Sequence, residues 1–392
     1  MKKILTAAML LVCLAATALA GGTQEKETPE YFKKRDGESM PEYIYDVNMP
    51  EVYTYGGSKR DWINGMAVAP DGRIAITGYT ESSDGTLSDR TKTWRAGWVM
   101  MLDRDMNVLW NFCSRSGDAD HIRFPVFHED GTMSAVHYTE GKQIKIIRLN
   151  AGGEQIASKT VLTECAEDEN IYAVSVLDMG YLMEHLREYG SRATHQLYDW
   201  DGNLLSTYEG MTIADAVGGK HLLRRVKEGI ELCVLDAQGT LTPLSLAARA
   251  GRDGVMRLYE DIVTLEDGGA AACGRIWEKP ITGVEGLLSR WDAQGNLVFE
   301  MIVPMGELKA MVRTRSGFAA ACVAYDEPTS AHHWRLLEFD EAGIMRARHE
   351  LCEDKLLTQC ALAQAADGTL LCAQSVGEYM LEDVLVTVTE AR

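Results

Sequence analysis

The chain has 392 residues, a formal net charge of −19, 36 glycines, nine cysteines and nine prolines. Such an acidic surface repels phosphate backbones, which excludes nucleic acid as a partner class. No run beyond the first twenty residues reaches the roughly 18 apolar residues of a membrane-spanning helix.

The N-terminus reads as an export signal. "MKK" is its basic start, "ILTAAMLLVCLAATALA" its apolar stretch, and Ala20-Gly21 a small-residue cleavage point. A retained anchor or lipidation at Cys13 are the rival readings. The apolar run is short for a span, and Val12 stands where a lipidation signal places a small residue. Cleavage near Ala20 predicts a secreted or envelope-associated protein. Residues 21–42 are charged, contain prolines and lack a period, which predicts a flexible tether.

From there a phrase recurs: an apolar residue, Asp or Asn, two spacers, Gly, then an alternating segment. It reads "LNAGGEQIASK" at 149–159, "YDWDGNLLSTYE" at 198–209, "LDAQGTLTPLS" at 235–245 and "WDAQGNLVFE" at 291–300. We place its turn residues at Asp103, Asn150, Asp201, Asp236, Asp292 and Asp340. A second series of tight Gly turns alternates with it, at Gly72, Gly131, Gly180, Gly219, Gly268, Gly317 and Gly368. Its intervals are 59, 49, 39, 49, 49 and 51 residues. Tight hairpins need positive φ, which Gly adopts without steric cost. Strand, tight turn, strand, loop, strand, tight turn, strand is one blade of a β-propeller. The predicted fold is all-β, a single seven-bladed β-propeller over 43–392 with four antiparallel strands per blade. The expected blades are about 59–112, 117–160, 165–209, 210–248, 252–302, 306–349 and 355–392. The last has room for three strands only, so residues 45–56 are expected to supply its fourth and close the ring. The stretch "TPLSLAARAGRDGVMRLYE" (242–260) is compatible with a helical turn or with a blade connection.

The segment "GGSKRDWINGMAVAPDGRIAITGYTESSDG…GWVMMLDRDMNVLWNF" (56–112) resembles the secreted bacterial β-propeller repeat proteins built on Asp-Gly turn blades. That resemblance implies the fold and export, and no single activity. Met106 stands where the family's turn carries Gly.

Strand parity places the first and third connections of each blade on one side of the ring. The second and blade-to-blade connections lie on the other. The second connections are expected to be long, at 80–97, 184–195, 275–286, 324–334 and 377–383, and long loops tend to carry function. Candidate ligand-binding residues on that face are Trp94, Tyr189, Trp277, Tyr325, His332, His333, Trp334 and Tyr379. Asp84, Asp89, Glu278, Asp326, Glu327, Glu382, His185, His195, Arg90, Arg187, Arg192 and Arg275 accompany them. Aromatic rings among convergent polar groups suit sugars, peptides and cations. His332-His333 would share a metal only from a loop, because adjacent strand residues point to opposite faces. "ESSDGTLSD" (81–89) and "YDWDGN" (198–203) have calcium-like acidic spacing without the closing Glu and read as turns. The Thr-Glu pairs at 80–81 and 139–140 read as structural.

The eight cysteines beyond Cys13 show no zinc-site spacing. Cys273, Cys322 and Cys372 lie in apolar strand-like runs, which predicts free buried thiols. No GxSxG, HExxH or P-loop is present, and no cofactor or metal is expected. The functional expectation is a monomeric binding propeller for a glycan, peptide or protein. The alternative is a propeller enzyme, a glycan hydrolase or lyase or a quinoprotein-like oxidoreductase, with its site at the channel mouth.

Overall fold

The computed structural model describes residues 50–87, 95–114, 120–139, 143–163, 170–186, 194–209, 213–214, 219–249, 255–278, 284–326, 331–354, 360–378 and 381–389. They form seven antiparallel four-stranded sheets around one axis. The N-terminal strand is β1 (Glu51–Tyr55). Blade one is β2 (Asp61–Val68), β3 (Ile74–Thr80), β4 (Ala96–Leu102) and β5 (Val108–Cys113). Blade two is β6 (Asp120–Phe127), β7 (Met133–Thr139), β8 (Gln143–Leu149) and β9 (Gln155–Thr163). Blade three is β10 (Asn170–Leu177), β11 (Gly180–Leu186), β12 (Thr194–Tyr198) and β13 (Leu204–Glu209). Blade four is β14 (Ile213–Ala214), β15 (His221–Val226), β16 (Gly229–Leu235) and β17 (Leu241–Arg249). Blade five is β18 (Val255–Thr264), β19 (Ala270–Glu278), β20 (Glu285–Trp291) and β21 (Leu297–Val303). Blade six is β22 (Glu307–Thr314), β23 (Gly317–Asp326), β24 (Ala331–Asp340) and β25 (Met345–Asp354). Blade seven is β26 (Cys360–Gln364), β27 (Leu370–Glu378), β28 (Leu381–Thr389) and β1.

The seven-bladed expectation holds, including the seam. β1 pairs antiparallel with β28 from Glu51↔Val388 to Tyr55↔Val384. The described parts of the segment compatible with a helical turn, 242–249 and 255–260, are extended instead, in β17 and β18. Pro243 fits there because β17 is the outermost strand of its sheet, where a missing N–H costs no ladder bond.

The recurring phrase is the turn between the third and fourth strands. In "WDAQGN" the Asp292 carboxylate accepts the N–H groups of Gln294 (2.9 Å) and Asn296 (2.8 Å), and Asn296 Nδ2 donates back to it at 2.9 Å. These bonds hold the Asp292 carboxyl below its ordinary pKa. The same pattern recurs at Asp103, Asn150, Asp236 and Asp340. In blade three the expectation of Asp201 is corrected. The accepting carboxylate is Asp199, bonded to the N–H groups of Asp201 (3.0 Å) and Asn203 (2.7 Å). The error lay in counting back from Gly202 by one residue rather than three.

The turn glycines answer two demands. Gly295 has φ +81°, and a Cβ there would lie 2.6 Å from Leu244 Cβ of the preceding blade. Gly153 likewise sits on the Trp110 indole, and Gly343 on Phe299. The third turn of each blade is thus seated on the outer strand of its predecessor. Blade one is the exception. Met106 takes φ 64°, is buried, and its carbonyl accepts the Tyr55 hydroxyl at 2.8 Å. This is the seam, where the preceding outer strand is β1.

The middle strands of each blade are covered on both sides by neighbouring sheets, so they read as apolar runs rather than alternating ones. β3 and β4 are buried at every residue. Between blades five and six, Ala271, Cys273, Ala320 and Cys322 are 0% exposed in a cluster with Leu288, Met311 and Phe318. Small side chains there let two sheets approach. Polar pins reinforce the joints: Ser375 Oγ accepts the Ile63 N–H, and buried Asp261 accepts that of Met311.

Burial pushes the Cys233, Cys322 and Cys360 thiols up to about 12, and those of Cys273 and Cys372 well above the ordinary value. Cys233, Cys273, Cys322, Cys360 and Cys372 are free, as expected. Cys165 lies outside the described residues, as do Cys13, the export signal and the tether.

Ala320→Leu should overpack the joint between blades five and six and cost about 1–3 kcal/mol, read from urea unfolding. An unchanged midpoint would contradict the close sheet approach. Asp292→Ala should cost about 1 kcal/mol by orphaning two turn N–H groups, whereas Asp201→Ala should leave the unfolding midpoint unmoved. Native thiols at Cys273, Cys322 and Cys372 should react with a disulfide reagent only after denaturant is added.

Candidate functional site

The first strands contact one another around the axis, so they line the channel, and β1 lies at the outer edge. Parity then places the starts of the first strands and the ends of the second strands at the mouth on the loop-bearing side. Two adjacent blades repeat one arrangement there. β2 and β6 open on Asp61 and Asp120, which pair in register with Thr80 and Thr139 at the ends of β3 and β7. One step inward, Trp62 pairs with Tyr79, and His121 with Tyr138.

Each aspartate is buried and anchors its corner. Asp61 accepts the Thr80 hydroxyl (2.5 Å), the Ser82 hydroxyl (2.8 Å) and the Gly57 N–H (2.8 Å). Burial outweighs these bonds and raises its pKa. Asp120 accepts the Ser114 hydroxyl at 2.6 Å and lies 3.2 Å from His137 Nε2. This Ser-Asp-His order is wrong for a nucleophile. The carboxylate stands between the other two, so the hydroxyl faces no imidazole base. Thr80 therefore has the structural place expected of the first Thr-Glu pair; Thr139 pairs in register with Asp120, and Glu140 lies outside the described residues.

The cross-strand aromatics join into one run. Trp62 and Tyr79 stack with centroids 6.2 Å apart, Tyr79 meets His121 edge-on at 4.7 Å, and His121 stacks on Tyr138 at 5.2 Å. Arginines lie over the same rings. Arg60 is 4.9 Å from the Trp62 centroid, Arg95 4.4 Å from Tyr79, and Arg123 4.7 Å from Tyr138. Arg95 also contacts Glu81 at 3.4 Å. Burial, aided by the charges of Arg123, Arg95 and Arg60 and opposed by Asp120, pushes the His121 imidazole down to about 3. Its Nδ1 is buried without a hydrogen-bond partner. The corner thus gathers three guanidiniums and four rings beside Glu81 and the buried Asp61 and Asp120. Its rings can take a planar or apolar body.

Glycines permit this approach. A Cβ on Gly78 would lie 1.8 Å from the Trp62 carbonyl oxygen, and one on Gly97 would lie 3.0 Å from the His121 carbonyl carbon.

Five of the eight expected ligand residues are described, and among these Tyr325 and His332 are brought into ring contact. Trp334 is corrected outright. It is 1% exposed in the core between blades six and seven and offers no surface to a ligand. The expected loop at 324–334 is mostly strand, because β23 runs to Asp326 and β24 starts at Ala331. His332 and His333 therefore stand side by side on β24 facing opposite ways, and His332 packs its ring on the 57% exposed Tyr325 at 5.1 Å. Trp277, half-buried near the end of β19, carries Arg275 over its ring at 5.8 Å. The expected long connections at 275–286 and 377–383 also shorten, because β19 extends to Glu278 and β27 and β28 leave only 379–380 between them. Trp94, Tyr189 and Tyr379 lie outside the described residues, with Asp89, Arg90, Arg187, Arg192 and Glu327.

Arg275 belongs to a closed ionic group. It contacts Glu307 at 3.0 Å and Glu260 at 3.5 Å, and Lys309 contacts the same two at 2.6 and 3.8 Å. Two cations and two anions alternate there, and the group neutralises itself. Sequence reasoning missed Arg60, Trp62, Tyr79, Arg95, His121, Arg123 and Tyr138. The available signal was parity itself, which puts strand ends on that face as well as loops. No group of three or more metal-ligating side chains occurs among the described residues.

An unfolded imidazole titrates near about 6.5. As pH falls below that value the unfolded chain takes up a proton that folded His121 refuses down to about 3. Stability should therefore fall from about pH 6.5 toward pH 4.5, before the carboxylates protonate. His121→Phe should flatten that slope in pH-dependent melts. His221, held down at about 4, will keep a residual slope. An identical slope in the variant would contradict the burial of a neutral imidazole.

No protein-family model matches the sequence, and no curated protein does. Solved structures match in fold. A β-propeller domain of the Trilobed protease from Pyrococcus furiosus aligns over 86% of this chain and 96% of its own, at 10% identity and a TM-score of 0.50. That domain has an open velcro topology, whereas here β1 closes the ring on β28. A Bacteroides caccae protein of unknown function aligns over 64% of this chain and 94% of its own, at 15% identity and a TM-score of 0.37. Pyrococcus horikoshii acylaminoacyl peptidase aligns over 85% of this chain and 50% of its own, at 8% identity and a TM-score of 0.46. At 10% identity the likeness to the protease's β-propeller domain shows the propeller fold alone.

Proposed function

We propose that the protein is an exported recognition propeller that binds a glycan, peptide or protein ligand on its loop-bearing face, with the corner of blades one and two as the docking point. The observation that carries this is the convergence of Arg60, Arg95 and Arg123 on the ring run Trp62–Tyr79–His121–Tyr138. Stacked guanidiniums are held in fixed planes, so their donors are pre-ordered for recognition and lose little freedom on binding. Trp277 and the exposed Tyr325 belong to the same face on blades five and six and extend the contact for a large ligand. Export rests on the N-terminal "MKKILTAAMLLVCLAATALA" pattern. The described residues contain no helix long and apolar enough to cross a membrane.

The test is a screen of mature protein against glycan and peptide arrays, followed by Arg95→Gln and Trp62→Ala. Binding should fall about tenfold or more in either variant, while Asp292→Ala binds as the wild type. Unimpaired binding in both variants, with unchanged melts, would remove this corner from the function. N-terminal sequencing of protein from the culture medium or cell envelope should begin at Gly21; protein retained in the cytoplasm with Met1 intact would refute export.

A further inference from the structure

Away from the docking point, and independently of it, the joint between blades six and seven gathers buried polar groups that no protein atom satisfies. We infer that this joint is a binding site for ordered water, in which at least one water bridges Trp334 of blade six to Gln374 and Thr387 of blade seven.

Among the described residues, four non-titratable side chains less than 2% exposed hold a nitrogen or oxygen without a hydrogen-bond partner. They are Trp98 Nε1, Trp334 Nε1, Gln374 Nε2 and Thr387 Oγ1. Trp98 lies in the cluster between blades seven and one. The other three share one joint. Trp334 packs in the cluster that holds Leu370 and Cys372 of blade seven, with Cys352 against it. Cys352 stands opposite Trp334 in the β24–β25 ladder, and its thiol donates to Gln374 Oε1 at 3.4 Å. Thr387 stands opposite Cys372 in the β27–β28 ladder, and directly opposed residues share a face of the sheet. Gln374 stands opposite Leu385, which makes Thr387 its diagonal neighbour on that same face.

The chemistry of the three groups calls for a small molecule that accepts. Trp334 Nε1 and Gln374 Nε2 are donors only, so neither can satisfy the other. Thr387 Oγ1 both donates and accepts, yet it bonds to neither of them. A buried donor without an acceptor forfeits its hydration, and the loss is incurred three times in one joint. Water accepts from two donors and still has a proton to offer the threonine oxygen, and a buried water makes about three hydrogen bonds. A halide would accept equally well but donates nothing. It is also disfavoured here, because buried Glu338 shares the face of β24 that carries Trp334 and Leu336, and the chain has a net charge of −19.

The neighbouring joints are pinned directly, by Ser375 Oγ on the Ile63 N–H and by Asp261 on the Met311 N–H. Between blades six and seven the direct polar contact is the Cys352 thiol on Gln374, and a thiol is a weak donor. Solvent supplies the stronger link, so the closing blade is held to blade six through water.

The experiment pairs urea unfolding of Thr387→Val and Gln374→Met, singly and together, with a high-resolution crystal structure of the mature chain grown in bromide. Thr387→Val keeps the side-chain shape and removes a hydroxyl that has no protein partner. A joint without water is relieved by that change, and its unfolding constant falls. A water-bridged joint loses a bond, and its unfolding constant should rise about fivefold. Gln374→Met should act in the same direction, and the double variant should cost less than the sum of the two, because both groups hold the same water. Where Gln374→Met fails to fold, Thr387→Val decides. The density should show a water within hydrogen-bond distance of at least two of Trp334 Nε1, Gln374 Nε2 and Thr387 Oγ1. An unchanged or lowered unfolding constant in Thr387→Val overturns the inference, as does an anomalous bromide peak at these groups or a protein carbonyl bonded in place of the water.

Discussion

Each sheet in this protein hides its apolar faces only against its two neighbours, so no blade is stable until the circle is complete. Closure is therefore the constraint on which the molecule depends. It is met by β1, which arrives from the far end of the chain and pairs with β28 over five residues. Tyr55 then reaches across the seam to the carbonyl of Met106. Elsewhere a turn glycine sits on the preceding outer strand. At the seam the residue is Met106, held in the left-handed region by a partner strand that is not its sequence neighbour.

The same geometry creates the aromatic corner of blades one and two. Inner strands converge on the axis, so the ends of first and second strands from adjacent blades come within ring-stacking distance. Trp62 and Tyr79 from blade one thereby meet His121 and Tyr138 from blade two, though 59 residues separate Trp62 from His121. Buried Asp61, which accepts the Thr80 and Ser82 hydroxyls, and buried Asp120, which accepts that of Ser114, hold both openings in place. Guanidiniums lie over these rings with Glu81 and the buried aspartates beside them, on a chain that is acidic overall.

Much of the architecture was legible before any coordinates, because tight turns leave a local mark. Positive φ selects Gly, and Asp292-type carboxylates accept N–H groups two and four residues on. Those demands are written within six residues, and their spacing counts the blades. One slip arose where two acids compete, Asp199 and Asp201, and only the bonding pattern separates them. The candidate site was less legible. Long connections attracted attention, yet Trp334 is core because its strand begins earlier than loop-like residues implied. His332 and His333 stand on that same strand, half-buried.

By itself the sequence determined an all-β repeat, seven units, their turns, the strand that closes the ring and the side on which loops emerge. Each follows from steric and hydrogen-bonding rules acting over a few residues, or from strand parity. Tertiary structure alone decided which side chains from different blades meet, which arginines stack on which rings, and which charges cancel, as Glu260, Arg275, Glu307 and Lys309 do. The reason is physical: stacking and charge pairing depend on distances of a few ångströms between residues tens of positions apart, and those distances exist only once the ring has closed.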